Sequence, residues 1–316
     1  MSPTVTVIIV NWNSGSLLAS SVDSLVRHHG GLVDSIIVVD NDSQDDSISQ
    51  LSKLNVTDVG LRIIENRTNT GFARACNQAQ KLATGKYLLF LNPDTRIFTG
   101  SLAGPIEFLE RAENACVGAV GIQLIEDDGR VSRSCARFPT LWRFVAEMTG
   151  AARIPGLKGT GVVMAEWSHD ATRIVDHVIG AFLLIRKEIF EILGGFDEQF
   201  FLYLEDVDLS WRMKELGYTS VYLASAQAFH KGGGTSAQIK ATRLFYSLRS
   251  KIIYGHKHFG RASWLCLVVL TLIYEPTVRC IYALSRGRVD EVVNTAKGYW
   301  MLLRNFRELW RLPASQ

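Results

Sequence analysis

The sequence of 316 residues has few cysteines, little net charge and no apolar run of the length that crosses a membrane. Its five cysteines are odd in number and fall in no CxxC or metal-finger spacing, so we predict reduced thiols in apolar surroundings. A net charge of +3 is too small to indicate a nucleic-acid partner. No charged segment with a cleavable apolar stretch precedes the first apolar run, and we therefore expect no secretory signal.

Two common nucleotide-binding motifs are also missing. The sequence contains neither GxGxxG nor GxxxxGK followed by Ser or Thr, so the usual dinucleotide-binding and P-loop interpretations fail. The charges that are present are unevenly spread, with Lys and Arg gathered towards the C-terminus and carboxylates clustered in the first half and around residue 205. A composition of 47% hydrophobic and 21% charged residues is typical of a globular protein at the apolar end of that class.

The most apolar strand signal lies at residues 87–91. These five apolar or aromatic residues follow a turn signal at 84–86 and predict a strand that is buried on both faces. Asn92, Pro93 and Asp94 come next, so a carboxylate stands just beyond the carboxyl end of this strand, where open α/β sheets bind ligands. It suits a hard divalent cation such as Mg²⁺ or Mn²⁺, and a polar cap of the strand is the alternative explanation.

The first ninety or so residues alternate between predicted strands and helices, which indicates a parallel, right-handed βαβ sheet. Asn11, Asp40 and Asp94 each follow a strand directly, so we expect them to converge along one edge of the sheet. Asp40 can accept a hydrogen bond there from a pyrimidine N3–H, or it can simply cap a turn. The strands are predicted at 4–10, 35–40, 61–64 and 87–91.

The loop 69–74 places Gly71 and Arg74 at the start of a predicted helix. The helix dipole and free N–H groups at such a position favour phosphate, and a capped surface loop is the alternative explanation. Further along, His230 and Lys231 stand beside a run of glycines. An imidazole and an ammonium in a flexible loop can ligate a metal and surround a diphosphate, whereas a lone histidine is often structural.

A second acidic stretch opens a predicted helix with Glu205, Asp206 and Asp208. The helix dipole favours acidic residues in a first turn, and this alone explains at least one of them. Aromatic residues crowd the approach to this helix, and apolar surroundings raise the basicity of a carboxylate. We therefore expect one of these carboxylates to act as a general base at neutral pH.

Two later segments carry less specific signals. Periodicity is lost from 138 to 176, and we expect a lid or binding loop that faces an acceptor substrate, with a disordered insertion as the alternative. From residue 240 the chain is predicted to be helical, with an apolar run at 264–274 that is too short to span a bilayer and is interrupted by Glu275, Pro276 and Arg279. This region fits a membrane interface, and packing against the catalytic domain or a second subunit explains it equally well.

Six of these stretches, in this order, resemble glycosyltransferase family 2, and most of all its rhamnosyltransferase-like branch; they lie at 7–13, 39–43, 69–73, 91–94, 194–198 and 203–209. The resemblance covers about residues 4–260. It implies an α/β GT-A (Rossmann-like) fold with a mostly parallel central sheet flanked by helices and a helical C-terminal extension. The implied domains are a glycosyltransferase domain at 1–236, with a nucleotide-binding half (about 1–115) and an acceptor half (about 116–236), and a membrane-associating or oligomerising helical region at 237–316.

The resemblance also implies roles for individual residues. Asn11 and Asp40 would contact the base and ribose region. Asp94 and His230 would hold a divalent cation, Mn²⁺ or Mg²⁺, on the diphosphate; Asn92 replaces the first aspartate of the family's Asp–x–Asp motif and removes one charge. Asp206 matches the catalytic base, with Glu205 beside it as a helper or structural partner. The residues implied for nucleotide-sugar binding are Asn11, Asp40, Asp42, Gly71, Arg74, Asn92 and Lys231.

The function implied is that of an inverting glycosyltransferase. It would move L-rhamnose from dTDP-L-rhamnose to a hydroxyl of a cell-surface polysaccharide or polyprenyl-diphosphate-linked saccharide, as a cytoplasmic enzyme peripheral to the inner face of the plasma membrane and a candidate homodimer. A UDP- or GDP-sugar donor is the alternative. A sugar-nucleotidyltransferase should carry a glycine-rich basic loop where Asn11–Trp12–Asn13 stands, and a non-catalytic binding protein would tolerate the loss of Asp94 and Asp206.

Overall fold

The structure is a computed structural model, and it describes residues 5–29, 31–57, 59–232 and 239–307. The strands are β1 (Val5–Asn11), β2 (Val33–Asp40), β3 (Gly60–Glu65), β4 (Tyr87–Leu91), β5 (Thr95–Ile97), β6 (Val117–Ile125), β7 (Cys135–Ala136), β8 (Arg173–Val175), β9 (His177–Val178), β10 (Phe182–Arg186) and β11 (Thr219–His230). The helices are α1 (Ser16–His29), α2 (Ser47–Leu51), α3 (Phe72–Gln80), α4 (Ala103–Glu110), α5 (Leu141–Thr149), α6 (Lys187–Ile192), α7 (Glu205–Glu215), α8 (Lys240–His258), α9 (Arg261–Val269), α10 (Glu275–Ser285) and α11 (Val289–Arg304).

Within the described residues, nine strands form one sheet in the order β3-β2-β1-β4-β10-β6-β11-β5, with β8 paired to β11. Strands β1 to β4 run parallel to one another, and β6 and β11 run in the same direction because the antiparallel β10 lies between β4 and β6. Helices pack against this sheet, and a helical region follows it. The predicted mostly parallel α/β sheet with flanking helices and a helical C-terminal region is therefore confirmed.

Strand β4 is the buried centre that its composition predicts. All five of its residues are buried. Tyr87, Leu89 and Leu91 belong to the hydrophobic core on one side of the sheet. Because side chains alternate along a strand, Phe90 points to the other side, where its ring packs against Phe190 and Phe196 at centroid distances of 5.0 and 4.9 Å.

Strand β11 continues beyond Leu223 to His230. After Leu223 its pairing with β6 shifts through a bulge and resumes at Gln227. Its last three residues then pair with β5, with His230 opposite Thr95. This extension depends on a partner strand that is distant in sequence, so local periodicity could not reveal it.

The segment 138–176 is more ordered than predicted, because it contains helix α5. The Thr140 hydroxyl accepts a hydrogen bond from the Arg143 N–H at 3.3 Å, and Gly150 ends the helix in the left-handed conformation. The absence of regular structure predicted here is therefore wrong. That the segment faces an acceptor remains a prediction.

The chain forms two compact units. The first comprises the described residues of Met1–Arg137, Trp167–Glu198 and Glu205–Thr235, and it contains the nine-stranded sheet. The second comprises those of Phe138–Glu166, Gln199–Leu204 and Ser236–Gln316. The contacts thus group 138–166 and 199–204 with the C-terminal helices, whereas the prediction placed them in the glycosyltransferase domain. The predicted nucleotide-binding and acceptor halves stay a prediction.

The apolar run at 264–274 belongs to a longer helix. Helix α9, a π-helical turn at Leu270–Tyr274 and α10 form one continuous helix, Arg261–Ser285, so Glu275, Pro276 and Arg279 interrupt the apolar run but not the helix. The π-helical turn lies just before Pro276, which lacks a backbone N–H, and it absorbs the break in the hydrogen-bond ladder. With 25 residues and a mean hydropathy of 1.6 in its most apolar window, this helix is long and apolar enough to cross a membrane by length and composition alone.

Candidate active site

Asn11 and Asp40 lie side by side at the carboxyl ends of β1 and β2, as predicted. They are paired in the register of the two strands, and both are buried. The Asn11 amide donates to Asp40 Oδ1 at 2.7 Å, and the Ser43 N–H donates to Asp40 Oδ2 at 3.0 Å. Asn11 Oδ1 in turn accepts a hydrogen bond from the Ser14 hydroxyl. These bonds hold the Asp40 carboxylate in one orientation at the edge of the sheet.

The predicted phosphate loop differs from expectation in one respect. The Gly71 N–H is not free, because it donates to the Asn69 side chain at 3.0 Å. The Gly71 carbonyl accepts from the Asn41 side chain at 3.1 Å, and a φ of 86° explains why glycine stands here. Arg74 is exposed and lies 3.8 Å from Glu198.

Asp42 occupies the loop after β2. Its backbone adopts a left-handed φ of 64°, and its side chain is exposed. The Gln44 side-chain amide donates to its carboxylate at 3.3 Å. The structure thus places Asp42 in the same loop as Ser43, which contacts both Asn11 and Asp40.

Asp94 and His230 come together although 135 positions separate them in the sequence. His230 Nε2 lies 3.4 Å from Asp94 Oδ1, and both residues are buried. The Lys231 N–H donates to the Asp94 carbonyl at 3.2 Å, which leaves the exposed Lys231 side chain beside this pair. Asn92 lies at the same turn, and its N–H donates to the Ala181 carbonyl at 3.1 Å. The glycines at 233–234 lie outside the described residues.

The pair of Asp94 and His230 fits the expected divalent cation when a substrate supplies the remaining ligands. Within the described ranges, no group of three or more His, Cys, Asp or Glu side chains is placed to hold a metal ion. Mg²⁺ is commonly bound by one or two carboxylates together with substrate phosphates, and carboxylates suit Mn²⁺ as well. Imidazole is a less favoured ligand of these two ions than carboxylate. A carboxylate and an imidazole 3.4 Å apart are therefore a sufficient protein contribution to such a site.

Asp206 lies in the first turn of α7, and its carboxylate contacts three neighbouring residues. Its Oδ2 accepts from the Gly180 N–H at 3.0 Å and lies 3.4 Å from His177 Nε2, and its Oδ1 accepts from the Val207 N–H at 2.9 Å. Burial raises the pKa of Asp206, but the His177 imidazole and the two N–H donors outweigh it and hold the pKa below the usual value. The raised basicity predicted for this position is wrong for Asp206, because the sequence does not show these donors.

The carboxyl with the raised pKa is that of Glu205. Burial is the largest cause, and the neighbouring Asp206 and Asp208 carboxylates add to it. Its Oε2 is buried and has no hydrogen-bond partner within the described part of the chain. Burial and the two neighbouring carboxylates therefore favour the protonated form of Glu205, which fits the structural role rather than that of a helper to the base.

His177 is the residue of this site that the sequence analysis missed. It is almost fully buried, and its Nδ1 lies 3.0 Å from the Ser210 hydroxyl. Ser210 donates to the Asp206 carbonyl at 3.0 Å, so the three residues form a closed set of contacts. In the sequence, His177 is recognisable only as a histidine directly before the apolar run that starts at 178. Its position against α7 is seen only in the fold.

Glu205→Gln is expected to change how stability depends on pH. The folded state keeps the Glu205 proton above the ordinary pKa of 4.5, so this stabilisation is full below pH 4.5 and is lost as the pH rises through the raised pKa. Each unit of raised pKa corresponds to about 1.4 kcal/mol. Thermal unfolding between pH 4 and pH 9 should show the variant gaining stability over the wild type as the pH rises. Glu188→Gln, at an exposed glutamate of α6, is the control, and a pH-independent difference for Glu205→Gln would contradict the assignment.

Comparison with known proteins agrees with this fold. The family model described as glycosyl transferase family 2 matches residues 6–163. The N-acetylglucosaminyl-diphospho-decaprenol L-rhamnosyltransferase of Mycobacterium tuberculosis is 26% identical over 306 residues, which cover 93% of this chain and 99% of the relative. The rhamnosyltransferase WbbL of Escherichia coli is 26% identical over 190 residues, or 57% of this chain and 68% of the relative.

Solved structures share the fold. A mannosyltransferase from Pyrobaculum calidifontis, solved in complex with GDP-Man and Mn²⁺, superimposes with a TM-score of 0.56 at 19% identity and covers 98% of this chain and 83% of that one. The fold is thus of the predicted GT-A type. The chain belongs to glycosyl transferase family 2, in its rhamnosyltransferase-like branch, and is a nucleotide-sugar-dependent glycosyltransferase.

Proposed function

We propose that this enzyme transfers L-rhamnose from dTDP-L-rhamnose to a hydroxyl of a lipid-linked saccharide, with inversion at the anomeric carbon. The observation that carries the chemistry is the Asp206 carboxylate, which is held in place by His177 and the Gly180 N–H and is ionised at neutral pH. The mycobacterial relative, an L-rhamnosyltransferase whose name specifies a diphospho-decaprenol acceptor, aligns over 93% of this chain and supports the sugar and the acceptor, whereas dTDP is what the resemblance to the rhamnosyltransferase-like branch implies.

Asp206 acts as the general base. Its three contacts occupy three of about four acceptor positions of a carboxylate, which leaves one on Oδ1 for the acceptor hydroxyl. Asp206 takes the hydroxyl proton while the oxygen attacks the anomeric carbon from the face opposite the nucleotide, and the bond from that carbon to the diphosphate breaks. His177 keeps the carboxylate oriented and disfavours its premature protonation.

The leaving diphosphate lies at the Asp94 end of the sheet edge. Asp94 and His230 would hold the divalent cation, which would supply positive charge to offset the negative charge that develops on the diphosphate. Lys231 adds a positive charge beside them. Asn92 contributes its amide rather than a second charge at this turn.

The nucleoside lies at the other end of that edge. Asn11 and Asp40 contact the base and ribose, and the fixed orientation of the Asp40 carboxylate suits it to a pyrimidine N3–H. Asp42, Gly71 and Arg74 line the loops around them. The same fold and mechanism with a UDP- or GDP-sugar is the second candidate, and the Pyrobaculum structure with bound GDP-Man shows that a purine nucleotide occupies this fold in another protein.

The location proposed for the enzyme is the inner face of the plasma membrane, and the proposed acceptor and the C-terminal helices support it. Helix Arg261–Ser285 exposes a series of large apolar side chains, and only 28% of its most apolar window is buried. A surface of this kind fits the boundary between lipid headgroups and acyl chains. The exposed residues are Leu265, Val269, Ile273, Ile281 and Leu284.

The donor is tested by thermal unfolding of the full chain with dTDP, UDP or GDP, each with and without Mn²⁺. A ligand present at a hundred times its dissociation constant adds about 2.7 kcal/mol to the free energy of unfolding. We expect the largest, Mn²⁺-dependent increase with dTDP. An equal or larger increase in unfolding free energy with UDP or GDP would assign the donor nucleotide to that ligand instead of dTDP. No increase with any of the three would contradict the proposed nucleotide site.

A further inference from the structure

The second unit contains a cavity of about 1330 Å³ that takes no part in the site described above. Its walls come from α5, the turns that follow it, α8, α10 and α11, and from Tyr203 and Leu204. All of these segments belong to the second unit. The volume exceeds the 300–1,000 Å³ or so that is usual for small-molecule sites, so an extended ligand fits it.

The floor of this cavity carries a buried charge cluster. Glu275 is only 3% exposed, and its two oxygens pair with Lys251 Nζ and Arg279 Nη2, each at 2.8 Å. Two cations thus face one carboxylate, so these three side chains together carry one net positive charge. The Lys251 ammonium also lies 5.7 Å from the centre of the Phe144 ring.

One part of the cavity wall, here called its mouth, carries Arg153, Lys158 and Arg286, which have no carboxylate partner among the described residues. The guanidinium groups of Arg153 and Arg286 both lie over the Tyr282 ring, 6.0 and 4.4 Å from its centre. Lys158 lines the cavity as well. Within the described residues, none of these three cations is within ion-pair distance of a carboxylate, whereas Arg288 pairs with Glu291 at 3.0 Å.

Two unpaired guanidinium groups on one ring repel each other, and an anion between them removes that repulsion. The planar arginine side chain donates two parallel hydrogen bonds to phosphate oxygens. Among the described lining residues, seven cationic side chains stand against three carboxylates. The charge of this cavity therefore favours a polyanion such as a diphosphate.

Much of the remaining lining is apolar, beside the polar Thr149, Ser247, Asn294 and Thr295, and the apolar part favours one kind of diphosphate. The apolar residues include Met148, Ile154, Val163, Leu244 and Val278. A nucleotide offers a polar base and ribose beyond its phosphates, whereas a prenyl diphosphate offers a hydrocarbon chain. Only the latter matches a cationic mouth joined to apolar walls.

We propose that this cavity binds the diphosphate of a prenyl-diphosphate-linked acceptor, with Arg153 and Arg286 as its principal contacts and the apolar walls around the first prenyl units. Leu204, which lines the cavity, stands two residues before Asp206 in the chain. The inference rests on the proposed function, because it concerns the acceptor of the same transfer.

The test is the binding of farnesyl diphosphate to the full chain by titration calorimetry, in EDTA so that the metal-dependent donor site does not contribute. We expect Arg153→Gln and Arg286→Gln each to weaken binding by at least about tenfold, since a charge-assisted hydrogen bond is removed. Arg286→Lys, which keeps the charge, should recover part of the loss. Arg304→Gln is the matched control, because Arg304 also lies over an aromatic ring, 4.9 Å from the centre of Trp300, but outside the cavity.

Two comparison ligands distinguish the sources of a diphosphate. Inorganic pyrophosphate should bind more weakly than farnesyl diphosphate, and equal affinities would overturn the lipid assignment. The affinity of the protein for phosphatidylglycerol vesicles should fall no more in Arg286→Gln than in Arg304→Gln. A selective loss on vesicles, with farnesyl diphosphate unaffected, would assign the arginines to the membrane surface and overturn the proposal.

The failure of this inference is separable from failure of the proposed function. Nucleotide binding with Mn²⁺ is measured on the same variants and is expected to be unchanged. If the nucleotide binds but farnesyl diphosphate binds equally to all variants, the cavity assignment is wrong and the donor assignment stands. If the wild type binds no nucleotide, the proposed function itself is wrong.

Discussion

Asp206→Asn is expected to lower the turnover number by about two to four orders of magnitude, because general-base catalysis contributes about that much. The substitution keeps the size of the side chain and one oxygen to accept the Gly180 N–H, so the fold and nucleotide binding should be preserved. It removes the negative charge that faces His177 and accepts the proton. The measurement is the initial rate of sugar transfer at saturating donor, together with the stabilisation by nucleotide and Mn²⁺ in thermal unfolding.

The control for Asp206→Asn is Asp128→Asn, at an exposed aspartate that pairs with Arg130 on a surface turn. Its turnover should equal that of the wild type. The pH profile supplies a second readout. Because the pKa of Asp206 lies below the usual value, protonation of Asp206 itself should lower the rate only below about pH 4. Normal turnover in Asp206→Asn would exclude Asp206 as the base.

Asp94→Ala is expected to abolish the Mn²⁺-dependent part of nucleotide binding and to lower turnover by about a hundredfold or more. A metal ion stabilises the developing charge by several kcal/mol, and each 1.36 kcal/mol or so corresponds to a factor of ten in rate. The buried Asp94 carboxylate faces His230 at 3.4 Å, so its removal leaves the imidazole alone at this position. Thermal unfolding with dTDP, with and without Mn²⁺, measures the binding effect.

Glu65→Gln is the matched control for Asp94→Ala, because Glu65 is an exposed carboxylate at the carboxyl end of β3 in the same sheet. It should keep the full Mn²⁺-dependent increase in unfolding temperature. His230→Ala should reproduce a weaker form of the Asp94→Ala effect. Unchanged Mn²⁺ dependence in Asp94→Ala would show that the metal is held elsewhere.

Much of the first unit was predictable because its signals are local. The apolar run at 87–91 is a buried strand in the structure, and Asn11 and Asp40 end adjacent strands as the alternation of strands and helices indicated. The carboxyl ends of parallel strands meet at one edge of a sheet, so three residues spread over the first ninety or so positions could be assigned to one site.

The misjudged features depend on contacts between distant segments. The pKa of a carboxyl group follows from its neighbours, and the neighbours of Asp206 are His177 and Gly180 from the region of β9 and β10. Without them, apolar sequence around Asp206 suggested a raised pKa, whereas the structure raises that of Glu205 instead. The burial of Glu275, which the sequence shows only as an interruption of the apolar run at 264–274, likewise depends on its contacts with Lys251 and Arg279.

The amino-acid sequence by itself determined the class of fold, the family and the carboxylates proposed to carry the chemistry, because hydrophobic periodicity and short motifs are properties of neighbouring residues. The tertiary structure alone decided which of these residues meet. It extends β11 beyond Leu223 until His230 reaches Asp94, sets His177 against Asp206, and brings Arg153 and Arg286 over one tyrosine ring. Apart from the contact of Arg286 with Tyr282, which are four residues apart, these contacts join segments that are distant in the sequence, and their geometry is set by how strands and helices pack.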